Sequence, residues 1–391
     1  MKNIAVVQTG GCSAVINSTL AGIINNAKQN NYTLYGLLNG FEGLLQGKMM
    51  DLTKLSAAQL LKLRATPAMF LGSSRMLLTE ELVKVIPQKL QQLDIDNLIL
   101  IGGNGTMYAA NLIHQAAQKQ NIKLTVIGSP KTVDNDIVGL AYSPGFGSAA
   151  KYIAQIVRDI SFDLESMKTF EQIRIIEVMG RSVGWLAAAS FLAKRKEEGA
   201  PHLIYLPEYD FAEEDFLQEV EQIYRKYKFG VIVVGEGIHD KNGVPIGANP
   251  FANIKQASKI YGGAATYLAH LVSEQLNLKA RAQDLTMAQR CCGALRSNID
   301  EVLAYKTGLA AILALKENHD TEMVYVNIDD PEGIYHAVDL TAVGGKERKV
   351  PPIFYDFMAK QPTAAFSNYL LPIVDDFPDT YLSLDDLKIY E

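Results

Sequence analysis

Six consecutive residues, Lys131-Thr132-Val133-Asp134-Asn135-Asp136, put an ammonium, a hydroxyl and two carboxylates into one short stretch. Pro130 stands just before them and disfavours a helix at Ser129, so the chain enters the group extended. A carboxylate in such a place has two chemical uses. It can take a proton from an attacking hydroxyl. It can also hold Mg²⁺, which prefers oxygen ligands and phosphate partners. A charged surface loop would carry the same residues without any chemistry. The rest of the chain weighs against that blander reading. Glycine turns stand at Gly10-Gly11 and Gly102-Gly103, and Arg75, Arg181, Arg281 and Arg290 fall in loops or after strand-like runs. Phosphoryl transfer needs an anion cradle, a metal, arginines around the moving charge and a base on the acceptor. Candidates for all four are present.

These groups need elements to hold them. Residues 98–136 read as an apolar run, a glycine turn, a helical pattern, a second apolar run and the acidic loop. That is one βαβ unit with polar groups at the carboxyl ends of both strands, where open α/β sheets bind ligands. The chain starts the same way, with a strand over 3–7, a turn over 9–13 and a helical stripe over 14–29. This turn has neither the dinucleotide pattern GxGxxG nor the P-loop pattern, so it reads as an anion loop of another kind. A third such transition follows a strand over 173–178, where Gly180 leads to a helix over about 183–194. A strand over 230–234 then ends in Gly235-Glu236-Gly237. Ser148 is expected to cap a helix over 149–160, and Asp210 with Glu213 one running through 227. Helices over 261–276 and 300–315 and a strand over 324–328 follow. The remainder reads as irregular, ending in an acidic tail across the surface. Strand and helix alternate nearly throughout, which predicts an α/β fold. Two Rossmann-like parallel-sheet domains, with helices on both faces, should flank an active-site cleft.

The totals agree with that architecture. A chain of 391 residues suits two domains, and 48% hydrophobic with 20% charged residues is ordinary for a globular protein. A net charge of -6 argues against a nucleic-acid partner. The basic clusters at 194–196 and 346–349 read as solvated surface. Three cysteines cannot form a disulfide framework and point to a reducing compartment. The six histidines are scattered, without metal-ligand spacing. No signal pattern opens the chain, and no apolar run approaches the ~20 residues that span a bilayer. The expectation is a cytoplasmic protein without a membrane partner.

The segments GGNGT, PKTVDND, PGFGSAAKYIA, EVMGRSVGW and GEG together resemble the 6-phosphofructokinase family. TGGCSAVINSTLAG, FLGSSR, APHLIYLPE, QRCC and PPIFYDFMAKQPT extend the likeness, in order, over nearly the whole chain. It is strongest to the branch of ~400 residues that contains many pyrophosphate-dependent enzymes. The resemblance implies Mg²⁺-dependent phosphoryl transfer to the 1-hydroxyl of fructose 6-phosphate, giving fructose 1,6-bisphosphate in glycolysis. The donor would be ATP or pyrophosphate, and the assembly a homodimer or homotetramer with shared sites. It also implies a donor-phosphate domain over 1–140 plus about 289–340. The sugar-phosphate domain would be about 141–288 plus 341–391.

Roles follow from matched motifs. Asp134 corresponds to the base, and Asp136 to the carboxylate that works with Mg²⁺ and phosphate. Thr132 corresponds to a hydroxyl near the acceptor or the moving phosphoryl group. Met179, Gly180 and Arg181 correspond to the loop over the sugar, with Arg181 also near the transferring group. Glu236 corresponds to a carboxylate on sugar hydroxyls, and Arg281 and Arg290 to the arginines on the 6-phosphate. Gly11, Arg75, Gly103, Asn104, Gly105 and Thr106 fall on the donor side. Lys131 matches the lysine that binds pyrophosphate, which some ATP-using relatives also carry. Asn104 replaces a metal-holding aspartate, leaving Asn104 and Asp136 as the implied metal ligands. Gln172 replaces an arginine and Met287 a histidine that meet the sugar phosphate. Such charge-assisted contacts contribute roughly 1.5–3 kcal/mol each. Gly105 stands where an aspartate would exclude a nucleotide, so the resemblance favours ATP over pyrophosphate. The alternatives are pyrophosphate with the same acceptor, another sugar or sugar phosphate as acceptor, and a non-catalytic sugar-phosphate or nucleotide sensor.

Overall fold

The computed structural model describes residues 2–74, 76–247, 262–331, 333–383 and 386–387. Apolar runs too short for helices become strands. In the first sheet these are β1 (Asn3–Gln8), β2 (Thr33–Leu37), β3 (Met49–Asp51), β4 (Asn97–Gly102) and β5 (Thr125–Pro130). In the second they are β6 (Ile173–Val178), β7 (Leu203–Tyr205), β8 (Gly230–Gly235) and β9 (Ala280–Asp284). Two late strands, β10 (Glu322–Tyr325) and β11 (His336–Asp339), return to the first sheet.

The first sheet runs β11-β10-β5-β4-β1-β2-β3 and the second β7-β8-β6-β9. The second is wholly parallel. The first is parallel through its middle and carries β3 and β11 antiparallel at its edges. Both ends can be antiparallel because short connections reach them: β3 follows β2, and β11 follows β10, without a crossover helix. Every residue of β4 and β8 is buried, as expected for strands covered on both faces.

Register sets the site. β4 and β5 pair so that Gly102 faces Pro130, and Gln8 of β1 faces Ile101. The chain moves from β1 outward to β2 on one side and to β4 on the other. The switch point between β1 and β4 therefore receives both glycine turns, with the loop after β5 beside them. In the second sheet Val178 faces Gly235, which sets Met179 beside Glu236.

One apolar core runs from Ile4, Val6, Ile99 and Ile101 across Phe146, Ile153 and Trp185 to Ile176, Val178 and Val233. The helices Ile16–Gln29 and Asn298–Lys316 cross at backbone contact: a Cβ on Gly22 would lie 2.3 Å from the Tyr305 carbonyl oxygen, and one on Gly308 2.0 Å from that of Thr19.

Local expectations needed correction where tertiary partners intervened. The helix Phe146–Ser166 starts before Ser148, which does not cap it. Asp300 does so from another helix, accepting from the Gly145 and Ser148 N–H groups and the Ser148 hydroxyl. Asp210 and Glu213 form no cap either; the helix Glu213–Tyr227 begins after Ala212, and Glu213 accepts from the Tyr267 hydroxyl. The helix expected over 183–194 is the short Trp185–Ala189 followed by a 3₁₀ turn, Ser190–Ala193. The region after 328 is not irregular. It holds β11 and a helix, Ala364–Val374, whose Phe366 and Tyr369 pack on Trp185. Among the described residues no helix is long and apolar enough to cross a membrane.

Candidate active site

The loop after β5 is held from several sides. Lys131 donates its backbone N–H to the Gly102 carbonyl, and its ammonium to that of Gly11. Thr132 N–H donates to the Ser143 hydroxyl, and Asp134 N–H to the Thr132 hydroxyl. Asn135 has φ 57°, a left-handed conformation that asparagine tolerates better than most residues. Its amide accepts from Ser143 N–H and donates to the Tyr369 hydroxyl. The backbone thus fixes where the carboxylates of Asp134 and Asp136 emerge.

The opposite wall is the loop 179–182. Gly180 and Arg181 both have positive φ, 138° and 53°. Glu236 offsets this strain, its Oε1 accepting from the Gly180 and Arg181 N–H groups at 3.2 and 2.9 Å. Met179 N–H donates to Gln289. The Arg181 guanidinium, largely exposed, lies 3.9 Å from Asp134.

Electrostatics follow burial. Lys131 is 2% exposed, and burial lowers its pKa to about 8 against the opposing pull of Asp134. Burial raises the Asp134 pKa; Arg181 and Lys131 draw it down and Glu236 pushes it up. Asp136 is raised to about 6 by burial and by the charge of Asp134. Burial also raises Glu236, against its two backbone hydrogen bonds.

A cleft of about 590 Å³ opens over these groups. Gly11, Gly103, Asn104, Gly105, Thr106, Lys131, Thr132, Asp134, Asp136, Met179, Arg181 and Arg290 all line it. Most of the residues singled out from the sequence therefore line it, although they make up less than half of the lining. Three of the expected residues stand elsewhere, among those described. Gly180 and Glu236 are not in the lining; Glu236 faces the loop backbone and supports Arg181 from behind. Arg281 lies on β9 with its side chain 66% exposed and ion-paired to Glu171, off this chain's cleft. Arg75 lies outside the described residues.

Asn104 lines the cleft with both ends of its amide already hydrogen-bonded. Its amide oxygen accepts from Gly345 N–H and its nitrogen donates to the Lys346 carbonyl, both at 2.7 Å. The side chain acts as a backbone clamp rather than a free ligand. Asp136 fits a cation better: its Oδ1 is buried without a hydrogen-bond partner and belongs to a cleft-lining residue. Among the described residues no three His, Cys, Asp or Glu form a metal cluster. A Mg²⁺ here would therefore have one or two carboxylates, completing its shell with water and phosphate oxygens.

Sequence reasoning missed several residues. Glu347, in a stretch read as basic surface, lines the cleft and accepts from the Ser182 hydroxyl at 2.8 Å. Arg348 donates its backbone N–H to the Asp136 carbonyl and stacks on Trp185, 4.1 Å from the ring centre. An alternation of lysine, glutamate and arginine gives no sign that it threads a cleft.

The family model for phosphofructokinase matches residues 3–315, and the chain belongs to that family. It is 34% identical over 378 residues to the sulfofructose kinase of Alkalicoccus urumqiensis, covering 95% of each chain. It is 34% identical over 365 residues to the pyrophosphate–fructose 6-phosphate 1-phosphotransferase of Xanthomonas campestris, covering 90% of this chain and 86% of the relative. The pyrophosphate-dependent phosphofructokinase of Marinobacter aquaeolei superimposes with a TM-score of 0.85 at 30% identity, covering 97% of this chain and 94% of that one. The fold is thus that of the phosphofructokinases, and the chain is a phosphotransferase with an alcohol acceptor.

Proposed function

We propose that the protein transfers a phosphoryl group from ATP to the 1-hydroxyl of fructose 6-phosphate. The observation that carries this reading is the meeting, in one cleft, of Asp134, Arg181, Lys131 and the two glycine turns. Asp134 takes the proton of the hydroxyl as it attacks. Arg181 meets charge developing on the moving group, and Lys131 and the backbone at Gly11 and Gly103 face the donor phosphates. Asp136 would hold Mg²⁺, and the ion would supply positive charge against the donor phosphates. Arg290, whose guanidinium lies beside the Gly11 turn, is assigned on this reading to the acceptor's 6-phosphate. Residues 1–140 with about 289–340 form the donor half on this reading, and about 141–288 with 341–391 the acceptor half.

Two features support ATP as donor. A Cβ built on Gly105 meets nothing within 4 Å, so the cleft is open where a side chain would exclude a nucleotide. Beyond it the lining turns apolar, with Phe41, Met76, Leu77, Leu78, Tyr108 and Leu112, a surface suited to a flat base and without use for pyrophosphate. A coupled assay with fructose 6-phosphate and each donor tests the reading. Faster turnover with ATP is expected; turnover with pyrophosphate alone would reverse the donor, and none with either would end the proposal.

A second acceptor is favoured by specific observations. Met287 is 55% exposed and offers no hydrogen bond donor. Gln172 accepts from Lys279 N–H, and Arg281 is held by Glu171. Few cations remain for a dianionic 6-phosphate, and the relative named sulfofructose kinase is as similar as the fructose 6-phosphate enzyme. A sulfonate carries one charge, so sulfofructose asks for fewer cations than a 6-phosphate does. Comparing kcat/KM for the two sugars decides between them; a hundredfold preference for fructose 6-phosphate would remove sulfofructose.

A further inference from the structure

The segment 345–350 threads between both walls of the cleft. At its start Asn104 clamps Gly345 and Lys346. Glu347 then pairs with Ile137 in an isolated antiparallel bridge, and Arg348 N–H donates to the Asp136 carbonyl at 2.7 Å. At its end Val350 N–H donates to Glu208, which also accepts from Gly184 N–H. The clamp on Asn104 thus brings a new carboxylate, Glu347, into the lining that also holds Asp136.

We propose that Glu347 is the second metal-facing carboxylate of this enzyme, taking with Asp136 the position that Asn104 cannot fill. Asn104 has given up both amide ends to the segment that carries Glu347, while Asp136 Oδ1 is buried, unpaired and in the same lining. Mg²⁺ is commonly bound through one or two carboxylates with substrate phosphates supplying further oxygens. Glu347 also accepts from Ser182, beside Arg181, so the same residue ties the metal end of the site to the arginine loop. The proposal rests on the phosphotransfer reading only for the identity of the bridged phosphates.

Mn²⁺ binding to the purified protein, followed by the loss of the free-ion electron paramagnetic resonance signal, tests this directly. Glu347→Gln is expected to weaken Mn²⁺ affinity at least tenfold, as is Asp136→Asn. Ser182→Ala removes the hydrogen bond but keeps the carboxylate, and should leave affinity within twofold of the parent. Unchanged affinity in Glu347→Gln, with a native circular dichroism spectrum, would overturn the proposal. So would equal losses in Glu347→Gln and Ser182→Ala, which would make Glu347 a support for the loop only. The Mn²⁺ titration needs no turnover. An enzyme inactive on every sugar can still show Glu347-dependent binding, and an active one can fail to.

Discussion

Asp134 and Asp136 are both partly buried carboxylates with raised pKa values, but the consequences differ. Asp134 must be ionised to accept a proton, and burial opposes this while Arg181 favours it. The acid limb of kcat/KM should therefore lie above the ordinary carboxylate range, with activity falling as pH drops through it. Arg181→Gln should move that limb upward by removing the opposing charge, and a pH profile of the variant checks this; an unmoved limb would separate Arg181 from the base. Asp134→Ala should lower kcat by at least a hundredfold while the circular dichroism spectrum stays native. For Asp136 the linkage runs through stability. Its folded pKa of about 6 exceeds the reference 3.8, so the folded state holds the proton more tightly than the unfolded one. Its contribution is most favourable below pH 4 and is lost as pH rises through 6. Asp136→Asn should therefore stabilise the protein at pH 7.5 by roughly 1–3 kcal/mol, with the gain vanishing near pH 4. Urea unfolding at both pH values measures this. At Gly105 the open space means that Gly105→Asp should fold normally yet lower kcat/KM for ATP by ten- to a hundredfold; steady-state kinetics would show whether the nucleotide needs that room.

At the scale of elements, the site depends on helix starts and loops fixed by distant partners. Gly145, which begins the helix Phe146–Ser166, forms an isolated bridge with Thr132. Asp300 accepts three hydrogen bonds at that same helix start and is fully buried. Asp300→Ala would leave two N–H groups and the Ser148 hydroxyl proton without an acceptor, with a predicted loss of about 2–4 kcal/mol in unfolding free energy. Denaturant titration checks this, and a loss below 0.5 kcal/mol would contradict it. The sequence suggested Ser148 as the local cap because serine before an apolar run is the usual signal. What overrode it was a carboxylate 152 residues away, which satisfies more orphan donors at once than one hydroxyl can. The same holds for the segment 345–350, whose charges look like solvated surface until the cleft it threads is known.

Across the whole molecule, Arg281 is the residue that one chain does not account for. It sits on an outer strand of the second sheet, away from this chain's cleft, though the family pattern assigns it to the acceptor phosphate. If sites are shared between subunits, Arg281 serves a neighbour. Mixing two inactive variants, Asp134→Asn and Arg281→Ala, under conditions that exchange subunits should then restore activity to about a quarter of the parent in a dimer with random reassortment. No recovery, together with a monomeric mass by light scattering, would place Arg281 outside the reaction.

By itself the sequence determined the strand–turn–helix units, the family and the identity of the residues around Asp134. These are set by short-range rules: apolar periodicity, glycine where the backbone must turn, and a motif compact enough to carry its own geometry. Only the tertiary structure decided the rest. It engaged the Asn104 amide in a backbone clamp, set Glu236 behind the loop that Arg181 rides on, and brought Glu347 to the cleft from 211 positions beyond Asp136. Hydrogen bonds and cation sites depend on which groups meet in space. Partners that far apart in the chain leave no local pattern for the sequence to show.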